Sequence, residues 1–169
     1  MCVKYPSHLV FTQKHRISFP YTTHFVFAII INCKEHFNVL PMMEVPFSVS
    51  NKWYNGECNV LTYQLDELVG TKLRALYQRR KGRDLYDLYK ALTLSDINID
   101  QVLTCYQKYM EFVVDHVPTY KEFIVNMEDK MQDDEFLGDT RQLLRPDEEF
   151  NPQEGYEVVR TLLIDRLQR

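Results

Sequence analysis

The stretch LDELVGTKLRALYQRRKGRDLYDLYKAL, residues 65–92, carries most of what this chain reveals about itself. Its apolar residues recur at helical spacing on either side of a polar break, so it reads as helix, interruption, helix. Lys72 falls inside the first apolar face, with Leu65 and Leu68 within two turns before it and Ala75 and Leu76 one turn after it. Burying an ammonium is costly unless it is paired. Lys72 therefore needs a carboxylate, a phosphate or an escape to water.

Beyond Lys72 the charge is one-sided. Between Leu68 and Arg83 stand six cations (Lys72, Arg74, Arg79, Arg80, Lys81 and Arg83) and no acid. Such a run suits a polyanion, with lysine as a point charge and arginine as a bidentate fork for phosphate. It equally suits a solvated helix end, where cations oppose the macrodipole. Gly82 is expected to end the first helix and Asp84 to cap the second, with Asp87 in a capping-box-like position. The same two carboxylates are also placed to order Lys72, hold a cation or accept a proton. The two readings are compatible.

On these residues the segment resembles the signature of the AbiEii/AbiGii-type nucleotidyltransferase toxins, members of the polymerase β-like nucleotidyltransferase superfamily. The pattern is an acidic-apolar helix start, K-L-x-A-L, a basic stretch and R-D-x-x-D-L. It is matched by Glu67, Lys72, Leu73, Ala75, Leu76, Arg79, Arg83, Asp84, Asp87 and Leu88. IINCKEHF (Ile30–Phe37), the strands of PFSVSNKWYNGECNVLTYQLDEL and the later NMEDKMQDDEFLGDTRQLL extend the likeness, so it runs from about residue 30 to the C-terminus. Residues 1–27 resemble nothing identified.

The resemblance implies transfer of a nucleotide from an NTP to an acceptor such as a tRNA-like RNA, with Mg²⁺ and a cognate antitoxin as further partners. By position, Lys72, Asp84 and Asp87 become the catalytic residues, and Lys72, Arg79 and Arg83 the phosphate-binding ones. The superfamily also needs a Gly-Ser turn to cradle phosphates and an Asp-x-Asp strand to hold paired Mg²⁺. Neither occurs here. The first aspartate is Asp66, preceded only by the acids Glu35, Glu44 and Glu57 and by one glycine, Gly56. No metal ligand is assigned. The expectation is a C-terminal portion of such an enzyme, inactive alone, from a truncated gene or a split protein. The alternative is a non-catalytic module that binds RNA or an antitoxin through the 72–83 stripe.

Composition bounds these readings. With 169 residues, 45% hydrophobic and 26% charged, the chain can bury one core and is not disordered by composition. Net charge is −4, and residues 111–169 hold 15 acids against 7 bases, which leaves 72–83 as the polyanion-facing segment. Cys2, Cys33, Cys58 and Cys105 are scattered and read as reduced thiols, and the five histidines lack ligand spacing. The apolar run Phe25–Ile31 is too short for a membrane span and lacks a cleavage site, so a cytoplasmic, non-membrane protein is expected.

The fold expected is α+β: a partial nucleotidyltransferase sheet in residues 1–64, of which 1–27 are unassigned, then a helical bundle in 65–169. Strands are expected at Phe25–Ile31, Val45–Val49 and Cys58–Tyr63, with Asn55-Gly56 as a turn. Helix starts are read at Asp100, at a Thr119/Glu122 capping box, at Asp133 or Asp134, and at Asn151-Pro152. These helices should run to about Asp115, Met131 and Leu144, with the last carrying a Val158, Leu162, Leu163 stripe. Trp53 and Tyr54 could stack a base, but packing in a core beside the turn is the stronger expectation.

Overall fold

The computed structural model describes the backbone of residues 2–5, 8–13, 27–32, 37–113 and 117–168, with side chains placed for 37–112 and 117–167. Two compact units result, residues 1–37 and 38–169. In the first, strands β1 (Cys2–Tyr5), β2 (His8–Gln13) and β3 (Phe27–Asn32) form an antiparallel sheet in that order, with Val10 opposite both Val3 and Ile30. The expected strand at Phe25–Ile31 is thus found in β3, although Phe25 lies outside the described residues, as do residues 33–36.

Among the described residues, the second unit opens with a hairpin, β4 (Met43–Ser50) and β5 (Asn55–Thr62), and continues into six helices. The hairpin therefore falls with the helices, whereas the sequence grouped it with the front strands. Its turn also differs from expectation. Asn55 pairs with Ser50 and Gly56 with Val49, so Asn55-Gly56 opens a strand. The reversal is made by Asn51–Tyr54. Asn51 Oδ1 accepts the Trp53 N–H at 2.9 Å and the Tyr54 N–H at 3.0 Å. An Asx turn that starts four residues earlier, at Asn51, thus overrides the Asn-Gly signal.

Helices α1 (Leu65–Gln78) and α2 (Gly82–Leu94) form a helical hairpin over the signature. Val69, Leu73 and Leu76 of α1 and Leu85 and Leu88 of α2 are buried, the i, i+4, i+7 set that a helix buries along one stripe. α1 packs mainly on α3 (Ile99–Val113) and α2 on α6 (Pro152–Leu162). Burying each of these leucines contributes about 2 kcal/mol. Gly70 makes the α1–α3 approach close: a Cβ there would lie 2.8 Å from the Val102 carbonyl oxygen. Tyr106, Met110, Phe123, Met127 and Phe136 add to the core from α3, α4 (Tyr120–Lys130) and α5 (Asp134–Gly138), and Val159, Leu163 and Ile164 from α6 and just beyond it.

Two local starts match expectation. Thr119 and Glu122 form the reciprocal capping box of α4, and Asn151 caps α6 with Pro152 in its first turn. Others moved. Asn98, not Asp100, opens α3, accepting the Gln101 N–H at 3.2 Å and donating its own N–H to Asp66 Oδ1 at 3.1 Å. Asp133 caps α5 as expected, but α5 ends at Gly138, well short of Leu144, in turns through residues 139–144. The expected end of α3 at Asp115 lies outside the described residues, and α3 is assigned to Val113. A 3-10 turn at Ile164–Gln168 follows α6.

Two buried charges tie the unit together. Glu67 accepts the Val39 N–H at 2.8 Å, the Leu40 N–H at 2.9 Å and the Tyr109 hydroxyl at 2.7 Å, so it anchors the segment before β4 to α1 and α3. Lys130, at the end of α4, donates to the Leu76 and Tyr77 carbonyls of the last turn of α1. It supplies the cation that helix lacks there. Burial, helped by Arg80, pushes the Lys130 ammonium down to about 8. Among the described residues, no helix is long and apolar enough to cross a membrane.

Candidate functional site

The α1–α2 hairpin brings Lys72, Arg79, Asp84 and Asp87 together. The Lys72 ammonium lies 2.6 Å from Asp87 Oδ2 and 3.3 Å from Asp84 Oδ1. Arg79 grips Asp84 with both prongs, Nε to Oδ2 at 2.6 Å and Nη2 to Oδ1 at 2.7 Å. That bidentate pairing fixes the guanidinium plane and, with the charge of Asp84, holds Arg79 protonated beyond its ordinary range.

Exposure separates the roles. Asp84 is fully buried, while the Lys72 side chain is 37% exposed and that of Asp87 43%. Lys72 thus stands at the rim of the apolar face rather than within it, since Leu65 and Leu68 are exposed as well. Asp84 has its oxygens occupied by two cations and serves to position both. The Lys72–Asp87 contact faces water, where such a pair contributes only about 0–1 kcal/mol.

The caps at this junction correct the sequence reading. Gly82 begins α2 rather than ending α1, and a Cβ there would sit 2.1 Å from the Phe136 carbonyl oxygen. Asp84 does not cap α2: the capping residue is Lys81, whose side chain makes no cap bond. Asp139, from just beyond α5, accepts the Arg83 N–H at 3.1 Å instead. Because a distant carboxylate serves the helix start, Asp84 is available to Lys72 and Arg79. No local signal in the sequence marks Asp139 for this.

The rest of the basic stripe turns toward the same acidic segment. Arg80 pairs with Asp129 and, at 3.2 Å, with Asp133. Lys81 lies 3.7 Å from Glu135 and 4.0 Å from Asp139. The Arg83 Nε is 3.5 Å from Asp139, so Arg83 does not join the Lys72 cluster. Arg74 lies over the Tyr109 ring, 5.4 Å from its centroid. A polyanion on Arg80, Lys81 and Arg83 would compete with four carboxylates.

Holding a pair of Mg²⁺ ions requires converging carboxylates. Among the described residues no group of three or more His, Cys, Asp or Glu converges to hold an ion. Asp84 is committed to Arg79 and Lys72, so these residues do not fit a Mg²⁺ pair.

None of the curated proteins and none of the solved structures matches the chain. A family model does, over residues 9–161, and it is described as nucleotidyl transferase AbiEii toxin of a type IV toxin–antitoxin system. The match begins well ahead of Ile30 and takes in β2 and β3, so most of residues 1–27 share the likeness that the sequence reading denied them.

Proposed function

Since the chain belongs to the AbiEii nucleotidyl transferase toxin family, we propose that its α1–α2 hairpin is the phosphate-binding side of a nucleotidyltransferase site. Lys72 takes the NTP phosphates, exchanging Asp87 for a phosphate oxygen. Arg79 adds a second positive group beside it, and buried Asp84 holds both in register. Asp87 returns to Lys72 when the nucleotide leaves, which keeps the empty site neutral. Arg83 flanks the site from its contact with Asp139. A cognate antitoxin and an RNA acceptor are the partners this family membership suggests.

The observation that carries the reading is the Arg79–Asp84–Lys72 arrangement: a buried carboxylate ordering two cations whose outer faces meet water. No Gly-Ser turn and no Asp-x-Asp strand occurs in the chain before Lys72. We therefore propose that the 169-residue chain binds an NTP but does not transfer it unaided. The test is calorimetric titration with an NTP beside a transfer assay with labelled NTP, Mg²⁺ and RNA. Wild type should bind, Lys72→Ala should bind roughly ten- to a hundredfold more weakly, and neither should label RNA. Absence of NTP binding by wild type sinks the site; label transfer by the isolated chain sinks the claim of inactivity. The stripe-based binding module draws less support, because Arg80, Lys81 and Arg83 already face Asp129, Asp133, Glu135 and Asp139.

A further inference from the structure

The tip of the β4–β5 hairpin exposes two adjacent aromatic residues that the site above does not use. Trp53 is 81% exposed and Tyr54 65%, so neither packs in the core. Exposing two large rings forgoes the burial that usually justifies them. Their backbone is nonetheless fixed. Asn51 Oδ1 accepts both of their N–H groups, the Asn51 N–H donates to the Tyr54 carbonyl at 3.0 Å, and the Ser50 hydroxyl donates to Asn55 Oδ1 at 2.7 Å. The Lys52 ammonium lies 4.2 Å from the Trp53 ring centroid, over its face.

We propose that this tip is a stacking site for an unpaired base of single-stranded RNA, with Trp53 as the platform, Tyr54 as its neighbour and Lys52 as the phosphate contact. An aromatic face accepts any base, and each such stack is worth about 1–3 kcal/mol. The turn's hydrogen bonds fix its backbone beforehand, so little order is lost on binding. At the tip itself, residues 50–55, Lys52 is the one charged side chain, while Glu44 and Glu57 stand on the strands behind it. The rings are flanked by Ser50, Asn51, Lys52 and Asn55 rather than by aliphatic side chains, a polar collar that suits a base and its phosphate better than an apolar helix. Lys52 now covers the ring by a cation–π contact and is released when a base replaces it and a phosphate draws it away. The proposal shares with the preceding section only the RNA acceptor, and it does not require NTP binding.

Trp53 is the only tryptophan, so its emission reports on the tip alone. The free chain should show a water-exposed indole open to acrylamide. A short single-stranded oligoadenylate should quench it saturably, and an RNA duplex of equal length much less. In anisotropy titrations of the labelled oligonucleotide, Trp53→Ala should weaken binding roughly tenfold while Trp53→Phe keeps most of it. Lys52→Ala should weaken binding and flatten its salt dependence. Lys72→Ala should leave the quenching unchanged, which separates this proposal from the NTP site. Equal affinity of wild type and Trp53→Ala, with no quenching, overturns it. So does an indole already shielded from acrylamide in the free chain, or one that becomes shielded as protein concentration rises; either result assigns the tip to a protein contact.

Discussion

Two hairpins stand side by side in this chain, separated only by Tyr63 and Gln64, and they dispose of their side chains in opposite ways. The helical one, α1–α2, buries its leucines and pairs most of its charges within the fold: Lys72 and Arg79 on Asp84, Arg83 on Asp139. The strand one, β4–β5, buries no residue at all and leaves Phe47, Trp53, Tyr54 and Leu61 at the surface. A segment whose groups satisfy one another holds shape and presents a few chosen atoms. A segment that satisfies none of its apolar groups is built for something outside itself.

The contrast should appear first in the glycines. Gly82→Ala drives a methyl into the Phe136 backbone carbonyl, which cannot swing aside, and should destabilise by about 3 kcal/mol or more. Gly56→Ala meets only the exposed Tyr54 phenol and should stay within about 0.5 kcal/mol of wild type. Urea denaturation of both variants checks this, and equal losses would erase the distinction.

The carboxylates of α2 come next. Asp84→Asn removes a buried acceptor from two cations and should cost about 1–3 kcal/mol, whereas half-exposed Asp87→Asn should cost less than about 1 kcal/mol. Thermal unfolding distinguishes them. A larger loss at Asp87 would reverse the assignment of positioning and exchangeable roles.

A pH effect should follow from Lys130. Its folded-state value lies near 8, below its ordinary 10.5, so the unfolded chain binds more protons between those values. Stability from this group is present above about 10.5 and is lost as pH falls through about 8. Lys130→Met should abolish that slope, most clearly between pH 8 and 9. From about pH 9 upward the Cys105 thiol, pushed up to about 11 by burial, keeps a proton that the unfolded chain loses and so adds a slope of opposite sign, which both proteins share.

The smallest effect separates two thiols. Cys58 on β5 is exposed and Cys105 on α3 is buried. Near neutral pH the Cys105 thiolate should be about a hundredfold scarcer than an ordinary one. Iodoacetamide followed by peptide mapping should therefore mark Cys58 in native protein and Cys105 only under urea.

What the sequence made legible was local. The capping box at Thr119 and Glu122 and the Asn151-Pro152 start lie within a few residues of the groups they serve. Lys72 could be recognised as needing a carboxylate, a phosphate or water because its helix neighbours are apolar, and Asp84 and Asp87 were the next acids along the chain. Lys130 and Asp139 were invisible as special residues, and Glu67 was matched to the signature without its buried bonds being foreseen. Each looks like an ordinary helix-end charge until the fold brings it a partner 27 to 56 residues away. The turn at Asn51–Tyr54 was misplaced because Asn-Gly is the stronger dipeptide signal, while a side chain four residues earlier made the actual bond. The exposed Trp53 was misread for a related reason. Aromatic residues usually enter cores, and only the described geometry shows that this one does not.

The Lys130 cap also sets a timetable. The carbonyl of Leu76 leaves the ribosome 54 residues ahead of the ammonium that closes α1, and Arg83 leaves 56 residues ahead of Asp139. At about 5–20 residues per second, that is a delay of roughly 3–11 s. Asp84 and Asp87 follow Lys72 and Arg79 at once, but for most of that delay Arg80, Lys81 and Arg83 are out while the acids that pair with them in the finished fold are not.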